Sequence, residues 1–212
     1  MDKCWCLMRK WGYNGGMKWD ERYAGAEYHF GTQPNQFLVE CAAHLKPGKV
    51  LSLGEGEGRN AIYLAKRGYE VTAVDFSAVG NAKAQKLAQL NAVTLTTITA
   101  DLNDYVIEPG AWDLIMCFFC HMPQDEREPL HRRVAAGLKR GGAYVYEVFS
   151  PQQLDFNSGG PTTLENLVSL AQARRELAGL ELRIGREVVR RREENDPESE
   201  AMAVLQVLGF KR

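Results

Sequence analysis

The sequence lacks three features that would assign it to a special environment. It has no apolar run approaching the roughly 20 residues that cross a bilayer. Its N-terminal stretch carries basic side chains but no sustained apolar segment, which is unlike a secretory signal. A formal net charge of -1 provides no overall field that would attract nucleic acid or an anionic membrane. We therefore expect a cytoplasmic protein with neither nucleic acid nor a membrane as its partner.

Cysteine is scarce and odd in number. The five cysteines lie in a chain of 212 residues, which is long enough to bury a core without disulfide bonds. Cys117 and Cys120 have the spacing of a redox or metal-binding pair, but Cys117 falls inside an apolar run. A zinc site would need a second pair, and Cys4 and Cys6 lie in the N-terminal extension. We therefore expect reduced thiols and no metal site.

Short apolar runs alternate with longer amphipathic ones from Pro34 onward. Strand-like runs occupy residues 49–53, 69–75, 93–99, 113–120 and 143–149. Helical spacing characterises the segments around them, at 34–45, 60–67, 78–91 and 124–138. Ser77 could cap the helix at 78–91, and residues 140–142 form a predicted turn before the last of these strands. This alternation predicts an α/β, doubly wound (Rossmann-like) fold, with a mostly parallel sheet and helices on both faces.

The C-terminal part of the sequence follows a different pattern. A predicted helix at 164–177 precedes two strand-like runs, 180–191 and 201–210, which flank a short polar loop. Because parallel strands need a long crossover, these two strands should form an antiparallel hairpin. The sheet would then have seven strands in a single domain over residues 17–212, preceded by a poorly ordered extension, residues 1–16.

A glycine-rich turn joins the first predicted strand to the following helix. Gly54, Gly56 and Gly58 alternate with other residues, and Asp75 ends the next strand about 20 residues later, the spacing at which a carboxylate binds a ribose. A simple tight turn between a strand and a helix is the alternative. The dinucleotide fingerprint, however, requires a third glycine where this chain has Arg59.

Two carboxylates lie within this turn. Glu55 and Glu57 alternate with the glycines, and they would repel a pyrophosphate in a poorly solvated cleft. A zwitterion with an ammonium and a sulfonium group would be attracted instead. S-adenosylmethionine (SAM) carries both groups, together with a ribose for Asp75.

Several segments of the chain resemble one family. These segments are residues 19–23, 50–60, 68–75, 100–102, 119–121, 138–142 and 158–161. In them the chain is similar to class I SAM-dependent methyltransferases, and among these to the tellurite-resistance and thiol methyltransferase branch. The resemblance implies SAM as the cofactor and a cofactor site formed by Trp19, Gly54, Glu55, Gly56, Gly58, Asn60, Asp75, Phe76, Asp101 and Leu102.

The resemblance also implies individual roles. Asp101 would accept a hydrogen bond from the adenine amino group beside the Leu102 backbone, and Phe76 would line the adenine pocket. Glu55 would replace the acidic residue that many members carry where this chain has Ser52. Each side chain also has a local interpretation: Asp101 as a turn cap, Phe76 as core and Glu55 as a solvated turn residue.

Candidate catalytic residues lie on the side of the methyl acceptor. They are His121, Tyr23 and His29, with Glu147 as a further carboxylate. A phenol or an amine would need a general base, whereas a thiolate would not. We expect a small-molecule acceptor, a thiol or a chalcogen oxyanion, and a monomer or weak homodimer. The alternative is a SAM-binding protein without catalytic activity.

Residues 17–30 are rich in aromatic side chains and precede the α/β pattern. Trp19 and Tyr23 are four residues apart and would share one face of a helix. A lid over the cofactor would exclude water from methyl transfer. The segment is therefore expected to be a lid, with a packing helix on one sheet face as the alternative.

Overall fold

The computed structural model describes residues 19–192 and 200–212. The predicted extension, residues 1–16, lies outside the described residues. The helices are α1 (Trp19–Tyr23), α2 (Gln36–Ala42), α3 (Arg59–Ala65), α4 (Ala78–Leu90), α5 (Gln124–Gly137) and α6 (Leu170–Glu176). The strands are β1 (Lys49–Leu53), β2 (Glu70–Asp75), β3 (Thr96–Thr99), β4 (Trp112–Phe118), β5 (Leu138–Phe149), β6 (Leu180–Arg191) and β7 (Ala201–Lys211).

One seven-stranded sheet organises the structure, in the order β3-β2-β1-β4-β5-β7-β6. The pairs from β3 to β5 are parallel, whereas β7 pairs antiparallel with both β5 and β6. The predicted fold class is confirmed, including the C-terminal hairpin. Because β1 to β5 are parallel, their carboxyl ends meet at one edge, where open α/β sheets bind their ligands.

Side chains that alternate along the strands build a core on each face of the sheet. Val50 and Val71 belong to the cluster that packs against α2, α3 and α4. Leu51 and Val74 belong to the opposite cluster, which packs against α5 and α6. Leu51 is fully buried, so truncating it to alanine would cost about 2–5 kcal/mol. The two cores hold the carboxyl edge rigidly between them.

The predicted helix at 164–177 is wrong in its first half. A short 3-10 turn (Leu164–Asn166) is followed by extended residues, and α6 begins only after Ser169. The Ser169 hydroxyl accepts a hydrogen bond from the backbone N–H of Gln172, and the Gln172 side chain accepts one from the Ser169 N–H. This capping box requires an extended N-cap residue and therefore starts the helix there.

The predicted turn at residues 140–142 lies within β5. The strand begins at Leu138, and its pairing with β4 shifts register between Trp112 and Leu114. Gly141 has a φ of 75°, a conformation that glycine adopts without the penalty of a Cβ. The turn is thus an irregularity inside a longer strand. Within the described ranges, no helix has the length and apolar content needed to cross a membrane.

Candidate active site

The glycine turn, residues 54–58, lies at the carboxyl edge between β1 and α3. A Cβ on Gly56 would lie 2.7 Å from the Tyr23 hydroxyl oxygen, and one on Gly58 would lie 2.8 Å from the Ala84 Cβ. Their φ values are 66° and 95°, in the region that favours glycine. Gly58 therefore allows α3 and α4 to pack closely, while Gly56 allows Tyr23 to approach the turn.

Asp75 at the end of β2 is bonded directly to this turn. Its Oδ2 accepts a hydrogen bond from the Gly56 N–H and its Oδ1 one from the Ser77 N–H, both at 2.8 Å. Burial raises the pKa of Asp75, and these two N–H donors partly offset that effect. A carboxylate has about four lone-pair sites, so Asp75 can still accept bonds from a ribose while it holds the turn.

Glu55 is directed into the protein. Its Oε1 accepts hydrogen bonds from the N–H groups of Asn60 (3.0 Å) and Ala61 (2.9 Å), and its Oε2 accepts one from the Ser52 hydroxyl. The carboxylate thus satisfies the first N–H groups of α3, as a cap does. Burial raises the pKa of Glu55 to about 7. The expected role at the amino group of SAM stays a prediction.

The Asn60 side chain also makes a contact within the protein. Its Oδ1 accepts a hydrogen bond of 2.9 Å from the Asn35 N–H. The Asn35 side chain in turn caps α2 by accepting from the N–H groups of Phe37 and Leu38. Asn60 therefore fixes the start of α2 beside the glycine turn.

Glu57 has a structural role that sequence analysis missed. It forms an ion pair of 2.6 Å with Lys83 of α4, and its Oε2 accepts a bond of 2.7 Å from the His29 N–H. The Lys83 ammonium group also donates to three backbone carbonyls, those of Tyr23, Gly25 and Glu27. These contacts attach the N-terminal segment (residues 19–30) to α4. They join residues far apart in sequence, and no local pattern signals them.

The aromatic rings of the N-terminal segment pack against one another, and Tyr23 among them approaches Gly56 of the glycine turn. The Trp19 ring centroid lies 5.3 Å from that of Tyr23 and 6.3 Å from that of Phe30. Asp20 accepts a hydrogen bond of 2.6 Å from the Ser77 hydroxyl at the start of α4. Tyr23 is 5% exposed, and burial raises its pKa. Its phenol is therefore neutral near pH 7.

The residues predicted for the adenine side lie along the ends of β2 and β3. Phe76 is 48% exposed beside Asp75, so it is available to a ligand and is not part of the core. Leu102 is buried, and its carbonyl accepts a bond of 2.8 Å from Arg133. Asp101 caps its own turn, because its Oδ1 accepts a bond of 2.8 Å from the Asn103 N–H.

His121 lies on the other side of the carboxyl edge, with Phe119 and Phe149. Its ring stacks on Phe149 at a centroid distance of 5.2 Å. Burial lowers the pKa of His121 to about 3, so the imidazole is neutral near pH 7. Among the described residues, its Nδ1 has no hydrogen-bond partner.

The three candidate catalytic residues come from two separate segments of the chain. Tyr23 and His29 belong to the N-terminal segment, whereas His121 packs against Phe149. His29 is largely exposed, and partial desolvation of its ring together with the charge of Arg22 lowers its pKa. Any joint action on one substrate would require that substrate to bridge the two groups.

The structure corrects the assignment of Glu147 to the acceptor side. Its side chain is fully buried and accepts bonds from Arg190 at 3.1 and 2.9 Å, from Gln206 at 2.8 Å and from Asn35. Both carboxylate oxygens are thus occupied by donors within the protein. Glu147 therefore joins β5, β6 and β7 to α2.

Known proteins resemble this chain in both sequence and fold. Residues 50–142 match the family of methyltransferase domains. The probable S-adenosyl-L-methionine-dependent methyltransferase TehB of Haemophilus influenzae (strain 10810) is 32% identical over 83 residues, covering 39% of this chain and 29% of that protein. A 23S rRNA (uracil(747)-C(5))-methyltransferase of Pyrococcus horikoshii is 38% identical over 60 residues, covering 28% of this chain and 15% of that protein.

Solved structures share the fold. The crystal structure of TehB from Haemophilus influenzae has a TM-score of 0.70 at 21% identity, covering 84% of this chain and 62% of that chain. The chain spans less than a third of the length of the curated relatives it matches. Residues 50–142 thus match a methyltransferase domain, and part of the chain is similar to TehB proteins, which are named as probable SAM-dependent methyltransferases. The resemblance seen in the sequence, and SAM as the cofactor of this class, are confirmed.

The residues of the site suit this cofactor. Asp75 is fixed against the turn with lone pairs left for ribose hydroxyls, and the exposed ring of Phe76 follows it directly. Tyr23, Cys120 and Ala84 approach the turn at Gly56, Gly54 and Gly58 respectively.

Proposed function

We propose that this protein transfers the methyl group of SAM to a small molecule, with a thiol or a chalcogen oxyanion as the acceptor. The observation that supports this most directly is the pair of 2.8 Å hydrogen bonds that join Asp75 to Gly56 and Ser77. They hold a ribose-binding carboxylate and the glycine turn in one rigid unit. SAM supplies a methyl group on a sulfonium, which is a good leaving group, so positioning provides most of the catalysis.

The acid–base properties of the site favour an acceptor that is already anionic. The low pKa of His121, about 3, makes its imidazole a weak base. Burial raises the pKa of Tyr23, so its phenolate is not formed near pH 7. Efficient proton removal needs a group whose pKa lies near the working pH. A thiolate or an oxyanion avoids this requirement, whereas an amine or a phenol does not.

The charges of the C-terminal hairpin support a small acceptor over RNA. Arg186 pairs with Glu40 at 2.7 Å, Arg190 with Glu147 at 2.9 Å and Arg192 with Glu200 at 3.7 Å. An RNA-binding surface would instead present arginines that are available to phosphates. The relatives include an RNA methyltransferase, and this pairing argues against a similar substrate here.

Methyl transfer from labelled SAM to a panel of acceptors tests the proposal. The panel contains thiols, tellurite, selenite, phenols and amines, and we expect transfer to a thiol or to a chalcogen oxyanion. With a thiol, the rate should rise with pH as the thiolate fraction grows. Binding of S-adenosylhomocysteine (SAH) without transfer to any acceptor would support the non-catalytic alternative. Tighter binding of NAD than of SAM would contradict the proposal as a whole.

A further inference from the structure

Lys83 of α4 places its ammonium group among four oxygen atoms of the protein. It donates to the carbonyl oxygens of Tyr23, Gly25 and Glu27 at 3.2, 2.9 and 2.6 Å. A carboxylate oxygen of Glu57 lies 2.6 Å from the same nitrogen. An ammonium has three N–H donors, so these contacts occupy all of them. The Lys83 charge is therefore directed into the protein, and its side chain is only 14% exposed.

The loop that follows α1, residues 24–28, is folded around this charge. The loop lies in no helix or strand, yet its carbonyls at Gly25 and Glu27 converge with that of Tyr23 on one nitrogen. Carbonyl oxygens that point at a common centre repel one another unless a cation lies between them. Without the Lys83 ammonium group, the loop would therefore lose the interaction that fixes its backbone.

Both ends of this loop meet the glycine turn. At one end, the hydroxyl oxygen of Tyr23 lies 2.7 Å from the position that a Cβ on Gly56 would take. Just beyond the other end, His29 donates its N–H to Glu57 at 2.7 Å. The N–H of Gly56 also donates to Asp75. A change in the loop would therefore reach the part of the turn that is bonded to the ribose-binding carboxylate.

We propose that Lys83 is a positioning residue of the cofactor site. Its ammonium group holds residues 23–29 against the glycine turn, so that the aromatic rings of the N-terminal segment adjoin the bound cofactor. Lys83 acts through this segment, because its own donors are occupied within the protein. The inference rests on the proposed function, since it requires SAM at the turn.

Lys83→Met tests the proposal, because methionine keeps an unbranched side chain and removes the charge. The loss of one charge-assisted hydrogen bond shifts an equilibrium by about 10- to 100-fold. The closed segment should then fall to about 1–10% of the molecules, and the affinity for SAH should fall by the same factor. Calorimetry measures this loss, and hydrogen exchange in the free protein should become faster at residues 24–30.

Lys83→Ala allows chemical rescue, which a general loss of stability would not permit. The deleted atoms correspond to propylammonium, which should bind beside the four oxygen atoms and restore the affinity for SAH. Tetramethylammonium at the same concentration carries the charge without N–H donors, so it should not restore binding. Lys86→Met is the matched control and should keep its SAH affinity, because Lys86 lies on the same helix and is exposed. Thermal unfolding verifies that each variant is folded.

The contrary outcomes are distinguishable. A folded Lys83→Met protein with the SAH affinity of the wild type would overturn the proposal, even if residues 24–30 exchange faster, because Lys83 would then be a structural anchor alone. Equal losses of affinity in Lys83→Met and Lys86→Met, or equal restoration by both ammonium ions, would also overturn it. If the wild-type protein binds SAH and transfers no methyl group, the catalytic proposal fails, while the binding comparison still decides the role of Lys83. If it does not bind SAH, both fail.

Discussion

Asp75→Asn is the substitution that most directly tests how the cofactor site is built. Each carboxylate oxygen of Asp75 accepts one backbone N–H at 2.8 Å, from Gly56 and from Ser77. An asparagine has one carbonyl oxygen and one NH2 group, so one of the two N–H donors would face another donor. A buried donor left without a partner costs about 1–3 kcal/mol of folding free energy.

Asp75→Asn should also weaken cofactor binding, because it removes the charge that ribose hydroxyls would bind. Bonds from ribose hydroxyls to an ionised carboxylate are worth about 1.5–3 kcal/mol, which corresponds to about a 10- to 150-fold loss of SAH affinity. Urea unfolding measures the first effect, and calorimetry with SAH measures the second. A protein with unchanged SAH affinity would refute the assignment of Asp75 to the ribose.

Asp113→Asn provides the matched control. Asp113 is also a carboxylate on a central strand, but it lies at the amino end of β4, where it binds Lys139 at 2.8 Å and accepts a bond from the Lys49 N–H. The control should lose stability and keep its SAH affinity. If both variants lose SAH affinity equally, the effect of Asp75→Asn is a general loss of structure.

Three further predictions concern stability, chemistry and dynamics. Burial raises the pKa of the Glu176 carboxyl, but bonds from His131 and Arg127 outweigh burial and lower this pKa from its ordinary 4.5 to about 2. Glu176→Gln should therefore cost about 3 kcal/mol at pH 7 and about 2 kcal/mol at pH 3.5 by urea unfolding; equal losses at both pH values would contradict this. His121→Ala should lower turnover less than tenfold, because its weakly basic imidazole is a poor general base; a larger loss with intact SAH binding would make it catalytic. SAH should slow hydrogen exchange in residues 19–30; protection already complete in the free protein would indicate a packing segment.

Local signals in the sequence were sufficient for most of the fold. The apolar runs predicted β1 and β6 with their observed bounds, and Ser77 was predicted as the cap of α4. A strand buried on both faces, or a helix with a capping residue, is specified by a few neighbouring side chains. These parts of the structure depend little on distant contacts.

The incorrect predictions have two physical causes. One is a local signal that overrides another, and the other is a contact between residues far apart in sequence. Residues 164–168 have helical spacing, yet the capping box at Ser169 starts the helix later. Glu147 resembled a free carboxylate at the end of a strand, but Arg190, which neutralises it, is 43 residues away. The contact between Lys83 and Glu57 likewise joins helix α4 to the glycine turn. Such partners become neighbours only when the chain has folded.

From the sequence, the carboxylates of the glycine turn favoured SAM because they would repel a pyrophosphate. The structure weakens this argument. Glu57 is neutralised by Lys83 at 2.6 Å, and Glu55 has a pKa of about 7 and caps α3. The turn is therefore much less negative than its sequence indicates, and repulsion of a pyrophosphate is a weak argument. The stronger argument is steric and chemical: Arg59 occupies the place of the third glycine in the dinucleotide fingerprint.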